Sequence, residues 1–382
     1  NGGIAIGRGA TGYQNTVSLG WAANGAGWGS IAIGPKTESG YIDVADKEVK
    51  STGNYAISIG AGAQSSGAAA MALGVLASAQ QDQALAIGRS ANADGIGSFA
   101  AGLQTKATGA GSIAIGGATS NTVSEGATAS GQAAIAIGNK ANASQLNALA
   151  IGTKASVTKQ NATAVGSGAS VKGDNATAVG NETTAEKQYD NAFGYKSTAS
   201  GGASTALGYI ATASGNQSTA LGSRVNATGT AATGIGYTVE SSGNRSVSLG
   251  ASITSNGDYA TGIGYSVNSQ GEGAIAIGSG TDVLGAIPAK QVEATMKNAI
   301  AIGRATSATG ESATAIGTEA TASTSDAIAV GRKSNASGGT SISFGYNTKS
   351  ISTNAVAIGT DVSATAESAI ALGRNTTASA LN

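Results

Sequence analysis

Apolar residues recur along this chain in short runs, each closed by glycine. Ile4-Ala5-Ile6-Gly7 is followed by similar runs at Ile31–Gly34, Ile113–Gly116, Ile135–Gly138, Ile275–Gly278 and Ile300–Gly303. Taking the closing glycine as position 0, it falls at Gly7, Gly20, Gly34, Gly60 and onward to Gly373, giving 25 units. Of the 24 gaps, 20 are 14 residues long; the first is 13, and those before Gly60, Gly138 and Gly303 are longer. A fixed period along a whole chain marks a repeat architecture, so the chain reads as one solenoid over residues 1–382.

Each unit holds two apolar stretches of different character. In the first, −4 to −1, position −1 is Ile, Leu, Val or Phe except at Ala101, −2 is Ala, Ser or Gly, and −3 is mostly aliphatic. In the second, +3 to +6, small or apolar residues at +3 and +5 alternate with polar ones at +4 and +6, as in Val225-Asn226-Ala227-Thr228. Alternation predicts a strand with one wet face. The first stretch has no wet face and is expected to be buried on both sides. With 60 glycines, many of them in two tight turns per unit, a helix is disfavoured.

These features predict an all-β parallel β-solenoid of 14-residue coils, with like positions stacked in ladders. At ~4.8 Å per rung, its coils would make a rod of roughly 120 Å. A thin roll with large residues opposite small +3 and +5 partners favours −1 and −3 inside and Ala at −2 outward, towards other copies. The remaining face of the first strand is most simply met by copies of the chain itself. A Thr and Asn row at −3 (Thr163, Thr177, Asn191, Thr205, Thr219, Thr233) reads as a tolerated polar ladder in a buried strand.

Longer gaps mark insertions near 35–54, 117–132 and 286–298. Alternation over Tyr41–Lys50 suggests a hairpin. Gly117–Gln132 reads as a loop. Pro288 with Val292 and Met296 suggests one or two helical turns. Insertions in repeat proteins form surface loops and often carry recognition.

The unit Asn354-Ala355-Val356-Ala357-Ile358-Gly359, repeated through nearly the whole chain, resembles the YadA-like head of trimeric autotransporter adhesins. The resemblance implies a homotrimer of left-handed parallel β-rolls at a Gram-negative cell surface, binding host matrix proteins, cell surfaces or other bacteria. It also implies outer-membrane anchoring through a C-terminal segment that this sequence lacks, so the chain reads as an excised extracellular head. An ice-binding β-solenoid and a β-solenoid glycan-active enzyme are alternatives. The first wants a regular outward Thr-x-Thr array, which the mixed +4 and +6 residues break.

Chemistry is sparse. No Cys and no His are present, which removes disulfides, thiol chemistry, the commonest general base and the commonest metal ligand. No cofactor, metal site or catalytic residue is expected. Equal numbers of basic and acidic residues, 21 each, and few aromatics argue against nucleic-acid binding. Carboxylates cluster only at Asp43–Glu48, in a solvated insertion. Gly7-Arg8-Gly9-Ala10-Thr11-Gly12 fits a dinucleotide-binding pattern, but no helix pattern follows it. Lys172, Gly173 and Asp174 resemble an integrin-type tripeptide on a turn, which turn composition explains more simply.

The two turns differ in charge. Positions +1 and +2 carry Arg8, Arg89, Lys140, Arg224, Arg304, Arg332 and other bases; +8 carries Asp82, Asp174, Asp258, Glu272, Glu311 and Glu367 with no base. In a trimer this would set basic residues of one chain against acids of the next, with Arg304, Glu311, Arg332 and Glu367 as candidates. The rival reading is a basic stripe open to polyanionic ligands such as sulfated glycans.

Overall fold

The computed structural model describes residues 2–38, 46–119, 126–281 and 290–380, and every regular element among them is a β-strand. The chain divides into two compact units, Asn1–Lys196 and Ser197–Asn382. Each is a β-solenoid in which strands pair in parallel with the equivalent strands of the neighbouring coil. In the first unit Ile135–Ile137 pairs with Leu149–Ile151, and Asn142–Ala143 with Ser156–Val157. In the second, Thr314–Ile316 pairs with Ile328–Val330, and Thr321–Ala322 with Asn335–Ala336. The strands occupy −3 to −1 and +4 to +5, narrower than the stretches read from the sequence. The flanking residues serve the turns.

Position 0 is glycine for two separate reasons. At Gly236 φ is +135°, a conformation essentially confined to glycine, and a Cβ would overlap the carbonyl oxygen of Gly250 in the next coil. The glycine at +7 answers only to the second constraint: at Gly229 a Cβ would overlap the Gly243 carbonyl. Elsewhere the turns do not depend on glycine. Arg224 at +2 (φ 55°) and Tyr259 in the opposite turn (φ 60°) are left-handed. Such residues cost about 1–2 kcal/mol each. Ladder hydrogen bonds running through the turns offset that cost, as where the Tyr259 N–H donates to the Asn244 carbonyl at 2.8 Å.

The roll interior is the reverse of the expected one. Ala at −2 is fully buried within the single chain, as at Ala136, Ala164 and Ala315, whereas −1 and −3 point outward. Ile59 at −1 is 41% exposed and Phe344 is 53% exposed. The expectation that large −1 and −3 side chains fill the roll and that Ala at −2 faces other copies is therefore overturned. Turns this tight leave room between the two sheets for small side chains and for an occasional Val or Ile. Among the described residues the largest fully buried side chain is Ile253, and the other buried side chains are Ala, Ser, Thr, Val and one acid, Asp190, whose carboxylate accepts from the Lys187 N–H at 2.8 Å. The Thr and Asn row at −3 accordingly lies half-buried on the outer face, not inside a buried strand.

In one stretch of the second unit the interior trades volume between neighbouring coils. Most coils set Ala at −2 near Ala, Ser or Thr at +3. Val225 and Ile253 at +3 are each followed, at −2 of the next coil, by a glycine, Gly234 and Gly262; Val239 is followed by Ser248 and Val267 by Ala276. A Cβ on Gly234 would lie 2.8 Å from Val225 Cγ1, and one on Gly262 would lie 2.8 Å from Ile253 Cγ2. In the same coils strand pairing continues through the turn, over Thr219–Ala227, Thr233–Ser241, Val247–Ser255 and Thr261–Ser269, while +2 stays left-handed at Arg224, Thr238, Ser252 and Ser266.

All three insertions open from one turn, between the closing glycine and +3. Pairing resumes at Lys50–Ser51, Thr128–Ala129 and Val292–Ala294. Val292, expected in a helical turn with Met296, is instead a buried strand residue registered with Val267. The coil needs a buried small or apolar residue at +3, and that demand overrides the helical spacing. Most of the hairpin expected at Tyr41–Lys50 lies outside the described residues. At its root the Thr37 N–H donates to the Lys47 carbonyl (2.9 Å), and Lys36 pairs with Asp46 (3.0 Å).

Candidate functional site

Each coil presents four surfaces: the outer face of the first strand, the outer face of the second, and two turn edges. The first face is a set of aliphatic ladders at −3 and −1, for example Ile113, Ile135 and Leu149 beside Ile115, Ile137 and Ile151. The second carries the polar +4 and +6 residues. There Lys172 pairs with Glu186 of the next coil at 3.6 Å.

The tripeptide Lys172-Gly173-Asp174 is held against the roll. Gly173 is buried, and a Cβ there would overlap the Lys187 carbonyl. Asp174 Oδ1 accepts from the Gln160 N–H at 3.2 Å. With its lysine in a ladder pair and its carboxylate on the coil before, the segment is a turn of the stack.

That carboxylate contact recurs along the +8 edge. Asp82 Oδ1 accepts from the Ala68 N–H at 2.8 Å, and Asp258 Oδ1 from the Asn244 N–H at 2.8 Å. The neutral Asn54 and Asn244 accept in the same way from Trp28 and Thr230. A short side chain at +8 thus satisfies an N–H that the ladder leaves open. Much of the acidity of this edge therefore serves the chain's own backbone. The edge is also not free of bases: Lys297 stacks beside Glu272 and pairs with it at 3.2 Å. The third insertion hides that register from a count along the sequence.

The +1/+2 edge is mixed. Lys196 pairs with Glu182 at 3.4 Å and lies 5.2 Å from the Tyr195 ring centroid. A hydrogen bond to Tyr195, then the hydrogen bond and charge of Glu182, raise the Lys196 pKa above its ordinary 10.5. Arg332 lies 5.1 Å from the Tyr346 ring centroid. Arg304, Glu311 and Glu367 are exposed, and among the described residues none joins an ion pair within the chain. The structure brings none of the four inter-subunit candidates together within one chain. Sequence reading by charge missed the tyrosines of this edge. The signal was available in the +1 column, where Tyr209, Tyr237 and Tyr265 stand two units apart.

Among the described residues there is no cluster of three acids that could hold a metal, and no helix long and apolar enough to cross a membrane.

No curated protein matches the chain. The family described as YadA head domain repeat (2 copies) matches residues 51–77, 65–91, 93–119, 129–155, 158–183, 192–209, 199–224, 294–320, 308–334, 336–361 and 364–382, more than half of the sequence. The matched segments are the coils themselves, with their closing glycine, small interior and aliphatic outer rows. The chain therefore belongs to the YadA head domain repeat family, the adhesin-type head of trimeric autotransporters.

Proposed function

We propose that the chain is the head of a bacterial surface adhesin that assembles as a homotrimer through the outer face of its first strands. Such a head, carried outside an outer membrane, would bind host matrix proteins, cell surfaces or other bacteria by many weak contacts repeated along three copies. The observation behind this reading is the uncovered ladder of Ile, Leu, Val and Phe at −1 and −3. Leu249 is 43% exposed, and Ile87, Ile316 and Ile358 are similarly open. Soluble proteins rarely leave a contiguous apolar surface of this kind bare. A repeating face is complementary in period to other copies of itself, and the count of three comes from the family.

The mass in solution tests the assembly. Light scattering on the purified chain should give three times 36.3 kDa. The double variant Ile87→Asp/Ile316→Asp should shift it towards the monomer. A monomeric parent chain would overturn the assembly reading. A panel of collagen, fibronectin, laminin and whole cells tests adhesion, and uniform failure to bind would overturn that part.

A further inference from the structure

Position +1 over nine successive coils of the second unit reads Tyr209, Ser223, Tyr237, Ala251, Tyr265, Ser279, Arg304, Thr318, Arg332, after which come Tyr346, Thr360 and Arg374. Over those nine coils large aromatic or guanidinium groups stand on every second coil with small residues between them; Tyr346, next to Arg332, ends the alternation. The ladder holds this row in register. Tyr209 pairs with Ser223, Ser223 with Tyr237, Tyr237 with Ala251, Ala251 with Tyr265, Tyr265 with Ser279 and Ser279 with Arg304. Beyond it the Glu319 N–H donates to the Arg304 carbonyl (2.8 Å), and the Lys333 N–H to the Thr318 carbonyl (2.9 Å). Equivalent ladder positions project side chains in the same direction.

Two coils span roughly 9.6 Å. Identical aromatics on adjacent coils would stack on one another and hide their faces. With Ser223 and Ala251 between them, Tyr237 is 53% exposed, and its neighbours Tyr209 and Tyr265 are 47% and 39% exposed. The backbone beneath is paired coil to coil through the turn itself, from Thr219–Ala227 to Thr261–Ser269. Exposed Arg224 stands at +2 between Tyr209 and Tyr237. Arg304 and Arg332 continue the two-coil spacing, and the Tyr346 ring steadies Arg332. The third insertion leaves at Gly280 and rejoins near Lys290, so its root separates the tyrosine and arginine parts of the row.

We propose that this row binds an extended acidic polysaccharide built from disaccharide repeats. The aliphatic face of a pyranose stacks on a tyrosine ring. In an extended β-linked chain, like faces return once per disaccharide, a length comparable with two coils. An acidic glycan with one carboxylate or sulfate per repeat then offers an anion to Arg304 and Arg332 at the same interval. Arginine suits that group because its planar fork binds such anions bidentately. A polyproline helix has a turn of about 9.3 Å and could meet the tyrosines. It brings no anion at the interval of the arginines, so the charge pattern favours the glycan. The same argument assigns Arg304 and Arg332 to ligand rather than to acids of a neighbouring subunit, since their column continues one of tyrosines.

The proposal rests on the adhesin reading only in needing this edge open in the assembled head. Hyaluronate oligosaccharides, heparin fragments, cello-oligosaccharides and a proline-rich peptide are the probes, measured by calorimetry on the full chain. Hyaluronate should bind, more tightly as it lengthens to cover the row, and more tightly than the neutral glycan. Heparin alone binding would leave sulfate as the recognised anion and support the row equally. Tyr209→Ser/Tyr237→Ser/Tyr265→Ser and Arg304→Ser/Arg332→Ser should each weaken binding at least about tenfold. The arginine variant should also lose most of the salt dependence. No binding of either acidic glycan, or unchanged affinity in both variants, overturns the proposal. So does capture of the proline-rich peptide in their place. A change of oligomeric mass in either variant also overturns it, assigning the row to subunit contact while leaving the adhesin reading intact.

Discussion

Gly262 and Ile253 provide a direct test of local volume compensation between +3 of one coil and −2 of the next. A Cβ added at Gly262 would lie 2.6 Å from Ser255 Oγ and 2.8 Å from Ile253 Cγ2. The serine hydroxyl can rotate away, but the β-branched isoleucine is stiff and fully buried. Gly262→Ala should therefore destabilise its coil by about 1–3 kcal/mol through overpacking. Ile253→Ala alone should cost about 2–5 kcal/mol, as transfer loss plus cavity. The double variant sets Ala near Ala, in the relation that Ala77 and Ala86 have in the first unit. It should fall short of the sum of the single effects by about 1–3 kcal/mol, the range expected for residues in contact. Repeat proteins open locally, so the suitable readout is hydrogen-exchange protection of amides in residues 247–269, backed by thermal unfolding. Additivity of the two substitutions within about 0.5 kcal/mol would refute the compensation argument.

Ala136→Leu places a large side chain where the roll admits only small ones, and should lower the melting temperature of the coil stack even in a variant that does not self-associate. An unchanged midpoint there would return the −2 column to the assembly interface. Gly236→Ala combines a glycine-only conformation with overlap on the Gly250 carbonyl, and should cost more than the ~1–3 kcal/mol of backbone strain alone. Circular dichroism melts comparing it with Gly229→Ala, where only the overlap on the Gly243 carbonyl acts and φ is not positive, separate conformation from packing. The Lys196 ammonium gains its partners on folding, so its raised pKa means stabilisation present below 10.5 and lost as pH rises through the folded value. Glu182→Gln should bring the Lys196 pKa, followed by NMR, back towards 10.5, with the Tyr195 hydrogen bond keeping it partly raised.

The repeat, the two strands per unit, the parallel stacking and the absence of helix were legible in the sequence. Each follows from a period written in all 25 units and from local turn chemistry. The place of the insertions was legible only roughly, because a sequence gap shows surplus length but not where pairing resumes. Val292 shows the difficulty: its spacing to Met296 suits a helix, while its burial under the coil restores a strand. The direction of each side chain was not legible at all. Within −3 to −1, alternation leaves two choices, Ile-x-Ile inward or Ala inward, and both faces are apolar. Only the separation of the two sheets decides, and it arises from how tightly both turns close. Ala136 goes in and Ile137 out because the roll is too thin to hold isoleucine in every coil, so the aliphatic ladder becomes a surface for something else to cover. The +1 row divides in the same way. The residue types at Tyr209, Tyr237, Tyr265, Arg304 and Arg332 are written in the chain. Their alignment along one edge exists only once the coils stack in register.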